Sequence, residues 1–296
     1  MKTIGIIGTG FVGQAVFAGF SKTFDIATYD SKHGLDFYVK GISSLSPGGG
    51  DYYKRLLELV DGPLFVCVPT PMKKSGECDT SIVESVLFNI SKTTERISRE
   101  TKTVVALKST VPPGTTEVFN RKYNNLHICF NPEFLTERNS IEDFKSQDHI
   151  IVGGPHEGTT TIKQMYDMAF PGVPVTKTSS TIAEFVKYLT NGFLAVKVAF
   201  ANEVQQMCKK MDADYDKVVE YAIKDKRLGT THWAAPGPDG KFGFGGKCLC
   251  KDLNALIALA ENLGGYTPTM EGAWNTNLAV RPEKDWESID GVVSRQ

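Results

Sequence analysis

Thr3-Ile4-Gly5-Ile6-Ile7-Gly8-Thr9-Gly10-Phe11-Val12-Gly13-Gln14-Ala15-Val16-Phe17 carries three signals in a row. An apolar, β-branched run, Thr3–Gly8, reads as a buried strand. A Gly-x-Gly-x-x-Gly spacing over Gly8–Gly13 follows at once, and from Phe11 a helical pattern runs to Lys22. In such a strand–turn–helix, Gly8 permits the tight turn, Gly10 lets the backbone approach a pyrophosphate, and Gly13 allows helix and strand to pack closely. Phe11 and Val12, at the helix start, add amide donors and a positive dipole end. A second strand, Asp25–Tyr29, leads to Asp30, 20 residues after Gly10, where a carboxylate accepts hydrogen bonds from a ribose diol. That carboxylate also repels a 2′-phosphate and favours NAD over NADP, while Lys32 nearby pulls the other way. A glycine-rich turn followed by a surface aspartate is the plain structural alternative.

The pattern repeats outward. Leu64–Val68, Thr103–Leu107 and His127–Phe130 read as further strands, with Tyr52–Val60, Thr80–Arg96 and Thr115–Tyr123 as the helices between them. Strands alternating with helices imply βαβ crossovers and a mainly parallel, doubly wound Rossmann-type sheet. His149–Gly153 and Val173–Lys177 add strands near one edge, and Pro47-Gly48-Gly49-Gly50 is a surface loop. Val68-Pro69-Thr70-Pro71 and Ser109-Thr110-Val111-Pro112-Pro113 follow apolar strands, so Val68, Pro69, Thr70, Ser109 and Thr110 are candidates for the second half of the cofactor groove; each alone also fits ordinary loop punctuation.

From Ser179 the chain turns helical. Ile182, Phe185, Val186, Leu189, Phe193, Val196, Phe200, Val204 and Met207 recur every three or four residues, which predicts one helix from about Thr181 to Met211, with Glu184 closing a capping box on Thr181. Asp214–Ile223, Lys251–Leu263 and Met270–Val280 read as further helices, Leu228–Gly246 as a loop, and the tail after Pro282 as loosely ordered. The expected division is 1–178 for the dinucleotide-binding domain and 179–296 for a helical domain.

The chain has 296 residues, 33 basic against 34 acidic, and a net charge of −1. That balance offers no footprint for nucleic acid or an anionic membrane. No apolar stretch approaches the ~18 residues of a membrane span. Six cysteines without a secretion signal imply reduced thiols and a cytoplasmic protein. The five histidines show no metal-ligand spacing, so no metal site is expected.

The remaining chemistry lies in three places. Gly243-Phe244-Gly245-Gly246-Lys247-Cys248-Leu249-Cys250-Lys251-Asp252 sets Cys248 ahead of a helix, with Lys247 and Lys251 favouring a thiolate. Cys250 reads as buried and inert. Lys187 and Asn191 share one helix face and suit a developing oxyanion, although taken alone the pair reads more readily as an exposed lysine beside a helix-side asparagine. Glu133 and Glu137, also at helical spacing, follow Asn131-Pro132; two solvated loop carboxylates are the alternative.

Together these segments resemble the UDP-glucose/GDP-mannose dehydrogenase family. The matching stretches are Gly8–Gly13, Val66–Pro71, Lys108–Thr115, Asn131–Glu137, Ala183–Asn191, Asn202-Glu203, Arg227-Leu228-Gly229 and Gly243–Asp252, in family order. The resemblance implies a four-electron oxidation of a nucleotide sugar's primary alcohol to a uronate, with hydride passing twice to NAD. It gives Cys248 the thiohemiacetal and thioester, Lys187 and Asn191 the oxyanions, Asp252 and Thr110 the water and its proton, and Glu133 the hydrolysis. It sets Glu137 in the same pocket and near the cofactor. It implies substrate contacts from Phe134, Leu135, Arg227, Phe242, Gly243, Phe244 and Gly245, and a homodimer paired through the long helix, with Arg227 reaching across.

Two departures stand out. Cys250 replaces a common proline. The chain also stops at Gln296, about where a third, nucleotide-binding domain begins in typical members. A β-hydroxyacid dehydrogenase, which makes one oxidation and needs no thiol, is the rival enzyme. A catalytically silent NAD-binding protein is the rival from another class.

Overall fold

A computed structural model describes residues 2–39, 42–45 and 51–294; the predicted loop at 47–50 lies outside them. Contacts divide the chain into two compact units, 1–70 with 80–187, and 71–79 with 188–296.

The first unit opens β1 (Thr3–Ile7), α1 (Phe11–Phe20), β2 (Asp25–Asp30), β3 (Gly34–Val39) and β4 (Ile42–Leu45). It continues α2 (Tyr52–Leu59), β5 (Leu64–Val66), α3 (Ser81–Arg96), β6 (Thr103–Leu107), α4 (Thr115–Lys122) and β7 (Leu126–Phe130). It ends with α5 (Ser140–Lys145), β8 (Ile150–Gly153), α6 (His156–Ala169) and β9 (Val175–Thr178). Among the described residues these strands form one nine-stranded sheet, ordered β4-β3-β2-β1-β5-β6-β7-β8-β9. β2, β1, β5, β6 and β7 are parallel, as the alternating pattern predicts. Two apolar clusters cover its faces, one around Leu64, Val105 and Leu87, the other around Ile6, Phe20 and Phe65. Strand order reverses direction at β1, which leaves a crevice beyond its carboxyl end and that of β5, the usual ligand position in open sheets.

One departure from uniform crossovers is the antiparallel hairpin β3–β4 after β2, where sequence reading assigns nothing. Gly34, at φ +81°, pairs with Asp30 and turns the chain straight back, so no helix intervenes. Both edge strands predicted at the other side form, β8 antiparallel to β7 and β9 parallel to β8.

The second unit comprises most of α7 (Ser180–Lys210), then α8 (Tyr215–Ala222), α9 (Leu249–Asn262) and α10 (Pro268–Val280). α7 starts with Ser179, whose hydroxyl accepts from the Ile182 amide; Glu184 turns away from the expected capping box and bonds α4 instead. The tail after Pro282 is packed rather than loose. Trp286 is buried against Trp274, ring centroids 5.3 Å apart, and Asp285 pairs with the buried Arg281. Beyond them Val293 bridges to Met72, and the Ser294 amide donates to the Met72 carbonyl.

α7 is apolar around most of its circumference, and Phe185, Leu189, Phe193, Phe200 and Met207 lie exposed along it in the single chain, with Leu189 at 67%; Met211, just past its end, is 77% exposed. No helix among the described residues is long and apolar enough to cross a membrane.

Candidate active site

The glycine turn has the geometry its spacing demands. Gly8 adopts φ +90°, and a Cβ there would lie 2.7 Å from the Cys67 carbonyl oxygen. A Cβ on Gly13 would lie 2.0 Å from the Gly8 carbonyl oxygen. Neither position admits a side chain without backbone movement. A Cβ on Gly10, by contrast, would meet nothing within 4 Å, so the backbone there faces open space from which a ligand can approach.

Asp30 ends β2 with one carboxylate oxygen accepting from the Thr9 amide at 2.9 Å and the Thr9 hydroxyl at 3.1 Å. Its other oxygen accepts from the Lys32 amide at 2.9 Å. Burial opposes the charge, but these donors outweigh it and hold the carboxyl below its usual range. The group is therefore a fixed anion, and Lys32 acts on it through its backbone. A cleft of about 430 Å³ opens beside it, lined by Thr9, Gly13, Gln14, His33 and Tyr38 among others. Phe11 and Val12 begin α1, as expected.

At the adjoining strand ends, the Ser109 hydroxyl donates to the Val68 carbonyl at 2.7 Å. Thr70 and Thr110 are buried; Val68 and Pro69 are partly exposed. These residues share one edge of the sheet with Gly8.

Glu133 and Lys187 form the most buried ion pair of the unit. Lys187 Nζ lies 2.9 Å from Glu133 Oε1 and donates to the Glu133 carbonyl at 2.6 Å, with the two residues 3% and 6% exposed. The Leu135 amide donates to Oε2 at 2.8 Å. Burial alone would raise the Glu133 carboxyl, yet Lys187, that amide and Lys108 hold it low. The Lys187 ammonium also faces the Phe134 ring at 5.7 Å. Lys108, which no role in the sequence reading singles out, is buried beside them, and burial brings its ammonium down to about 8.

Glu133 and Glu137 do not lie on one helix. Residues 131–136 form no helix or strand after β7, and Glu137, exposed, begins a short 3-10 turn. The two carboxylates therefore share no helix face, because Pro132 and the Glu133–Leu135 bond hold the chain out of helix.

In the second unit, α9 begins at Leu249, two residues earlier than expected, so Cys248 stands directly before its first turn. The Asp252 amide donates to the Cys248 carbonyl at 3.0 Å. Asp252 is buried, accepting from Asn191 Nδ2 at 2.6 Å and from Lys251 Nζ at 2.5 Å. Burial opposes the Lys251 charge, but Asp252 and the nearby Cys248 and Cys78 raise its pKa. A helix start and this ammonium together favour a Cys248 thiolate. Cys250 is buried, its thiol pushed up by burial and hydrogen-bonded to the Phe244 carbonyl.

The glycine loop before Cys248 is held by side chains that no spacing rule points to. Asn202 Oδ1 accepts from the Gly243 amide at 2.9 Å, and Asn277 Oδ1 from the Phe244 amide at 2.7 Å. A Cβ on Gly245 would lie 2.5 Å from the buried Arg281 guanidinium, which also donates to the Phe242 carbonyl. Phe242 and Arg227 are exposed, and Arg227 pairs with Asp225 two residues away. Asn202 lies in the Asn202-Glu203 stretch that carries the family resemblance, whereas nothing local marks Asn277 or Arg281.

Residues 58–169 match the NAD binding domain of the UDP-glucose/GDP-mannose dehydrogenase family, and residues 181–279 match its central domain. The chain is 32% identical to UDP-glucose 6-dehydrogenase YwqF of Bacillus subtilis, aligned over 99% of this chain and 70% of that protein. It is 36% identical to the UDP-glucose 6-dehydrogenase of Rickettsia bellii over 67% of this chain and 45% of the relative. A UDP-glucose dehydrogenase structure from Pyrobaculum islandicum superposes with a TM-score of 0.78 at 27% identity, covering 94% of this chain and 68% of that one.

Proposed function

Since this chain belongs to the UDP-glucose/GDP-mannose dehydrogenase family, we propose that it oxidises the primary alcohol of a nucleotide sugar, UDP-glucose foremost, to the uronate with two NAD per sugar. The observation that carries the proposal is Cys248, set at the start of α9 behind a glycine loop, with the Lys251–Asp252–Asn191 group in the same unit. A single alcohol oxidation needs no such thiol.

The cofactor turn is Gly8–Gly13 with Asp30, completed by Val68–Thr70, Ser109 and Thr110; the open face at Gly10 supports it. When bound there, NAD supplies the hydride acceptor for both oxidations. The first leaves an aldehyde. The Cys248 thiolate adds to its carbon, giving a thiohemiacetal whose oxyanion Lys187 and Asn191 offset. Loss of the second hydride leaves a thioester. Water then attacks, the carbon–sulfur bond breaks, and the uronate departs with the thiol restored. Thr110 and Asp252 orient that water, and Glu133 takes its proton. Glu133 starts as a carboxylate, the form a base requires, while Phe134, Leu135, Glu137 and the Phe242–Gly245 loop frame the sugar.

A screen of UDP-glucose, UDP-N-acetyl sugars and GDP-mannose should find one substrate that yields two NADH per sugar. One NADH per substrate would overturn the thioester route in favour of a β-hydroxyacid dehydrogenase.

The exposed stripe on α7 supports a homodimer, because a two-fold axis lets one apolar patch bury its own copy. Arg227, 89% exposed, is then available to a substrate on the partner. Light scattering should show twice the 32.5 kDa chain mass; an active species at 32.5 kDa overturns the dimer. We place the enzyme in the cytoplasm, consistent with cysteines that form no disulfide among the described residues.

A further inference from the structure

Glu184 is fully buried and has no part in the chemistry above. Its carboxylate reaches across 70 residues of sequence to accept the Gly114 amide at 2.6 Å, and accepts the Thr116 amide at 2.8 Å through its other oxygen. Both amides belong to the start of α4, directly after the Ser109–Gly114 turn. The turn supplies little of the cap itself: the Pro112 carbonyl accepts the Thr115 amide, but Pro112, Pro113 and Gly114, the last at φ +92°, have no side-chain acceptor for the Gly114 and Thr116 amides. An anion at a helix start also meets the positive end of its dipole. A second bond joins the same two elements, from the Thr181 hydroxyl to Glu117 at 2.9 Å. One turn beyond Glu184 on the same helix stands Lys187, which holds Glu133.

We propose that Glu184 is a positioning residue: its two amide bonds fix the Ser109–Gly114 turn to the first turns of α7 and so set the affinity for NAD. The proposal rests on NAD being held by that turn, as proposed above. Two acceptor oxygens are needed for two donors. A protonated carboxyl has one good acceptor left and presents a hydrogen to the other amide, so proton uptake loosens the turn. Proton uptake falls within reach of neutral pH, because burial, with Glu117 adding to it, raises this carboxyl to about 7 against the Thr116 and Gly114 bonds that lower it. From α4 the facing charge is Glu117, while Lys187, the next charged residue along α7, is engaged with Glu133.

The sign follows from linkage. NAD binds the ordered turn, hence the ionised carboxyl, so its affinity is full above pH 7 and falls below it. If the bound form excludes the proton, Kd rises by up to about tenfold from pH 8 to pH 6. His33, whose charge acts on Asp30 beside the cofactor turn, is the group to separate from Glu184.

Calorimetric NAD titration of the full chain at pH 6 and pH 8 is the test, on wild type, Glu184→Gln and His33→Gln. Wild type and His33→Gln are expected to weaken by up to about tenfold at pH 6. Glu184→Gln, left with a single acceptor oxygen, should bind several-fold more weakly at pH 8 and show no further loss at pH 6. A flat wild-type response, a dependence that survives in Glu184→Gln, or one that vanishes in His33→Gln overturns the proposal. Should Glu184→Gln not fold, the wild-type and His33→Gln series still decide. Absence of NAD binding by wild type at both pH values would instead bring down the cofactor site itself, a result distinct from a flat response.

Discussion

Cys248→Ser is expected to abolish uronate formation, by roughly a thousandfold or more, while NAD binding stays at the wild-type level. A serine hydroxyl is almost wholly protonated at neutral pH, whereas the start of α9 and the Lys251 ammonium favour a thiolate at this position. Without the sulfur adduct there is no thiohemiacetal for the second hydride to leave, and no thioester for water to cleave. The substitution exchanges one sulfur for one oxygen and changes no residue of the Gly8–Gly13 turn or Asp30, so NAD binding serves as the control. NADH release and uronate, followed together on the substrate found by the screen, check this. Two NADH per sugar from the serine variant would rule out the covalent route. Cys250→Ser is the natural control, since its buried thiol is held protonated and bonded to the Phe244 carbonyl.

The second large effect is on stability. Lys187→Met removes one partner of a buried ion pair and leaves Glu133, 6% exposed, with its charge poorly compensated. Breaking such a pair costs about 3–5 kcal/mol, equivalent to a fall in Tm of roughly 6–20 °C for a domain of this size. The pH dependence gives the cause. In the wild type the Glu133 carboxyl is held below its ordinary value, so its contribution to stability is present above the unfolded pKa and is lost as pH falls through the folded one. Without Lys187 its lowering effect is gone while burial stays, so the folded pKa rises, and the gap from wild type is widest near neutrality and narrows in acid. Melting curves at pH 5 and pH 7.5 test the sign, and a gap independent of pH would assign the loss to packing alone. Adding Glu133→Gln should recover part of it, because the stranded charge is gone.

What the sequence reveals depends on how local the cause is. The Gly8–Gly13 turn is legible because its glycines answer to clashes within a few residues, such as Gly13 against Gly8. The strands β8 and β9 and the long α7 are legible from apolar periodicity. The β3–β4 hairpin is not, because Leu35, Phe37 and Val39 alternate where a crossover helix is the prior and only Gly34 marks the reversal. Trp286 anchors a tail whose composition reads as loose. In the site, Cys248 and Lys187 stand out by residue type and spacing. The bond from Asn191 to Asp252 spans 61 residues, and nothing nearby signals it. Glu184 misleads for the same reason: a local capping box and a bond to Gly114 fit the residue equally well, and the fold chooses the distant partner.

The bridge between Met72 and Val293 bears on biosynthesis. Pro71–Asp79 is made early, between two stretches of the first unit, yet it packs with residues at the far end of the chain. Ser294, which donates to Asp79, lies 215 residues downstream of it. At ~5–20 residues per second, a ribosome needs roughly 10–40 s to deliver that partner. Throughout that interval the nascent chain can complete its nine-stranded sheet while the Met72 edge waits with unpaired backbone, a natural docking point for a holding chaperone. A chain ending at Lys187 would keep Pro71–Asp79 but never gain the residues it packs with.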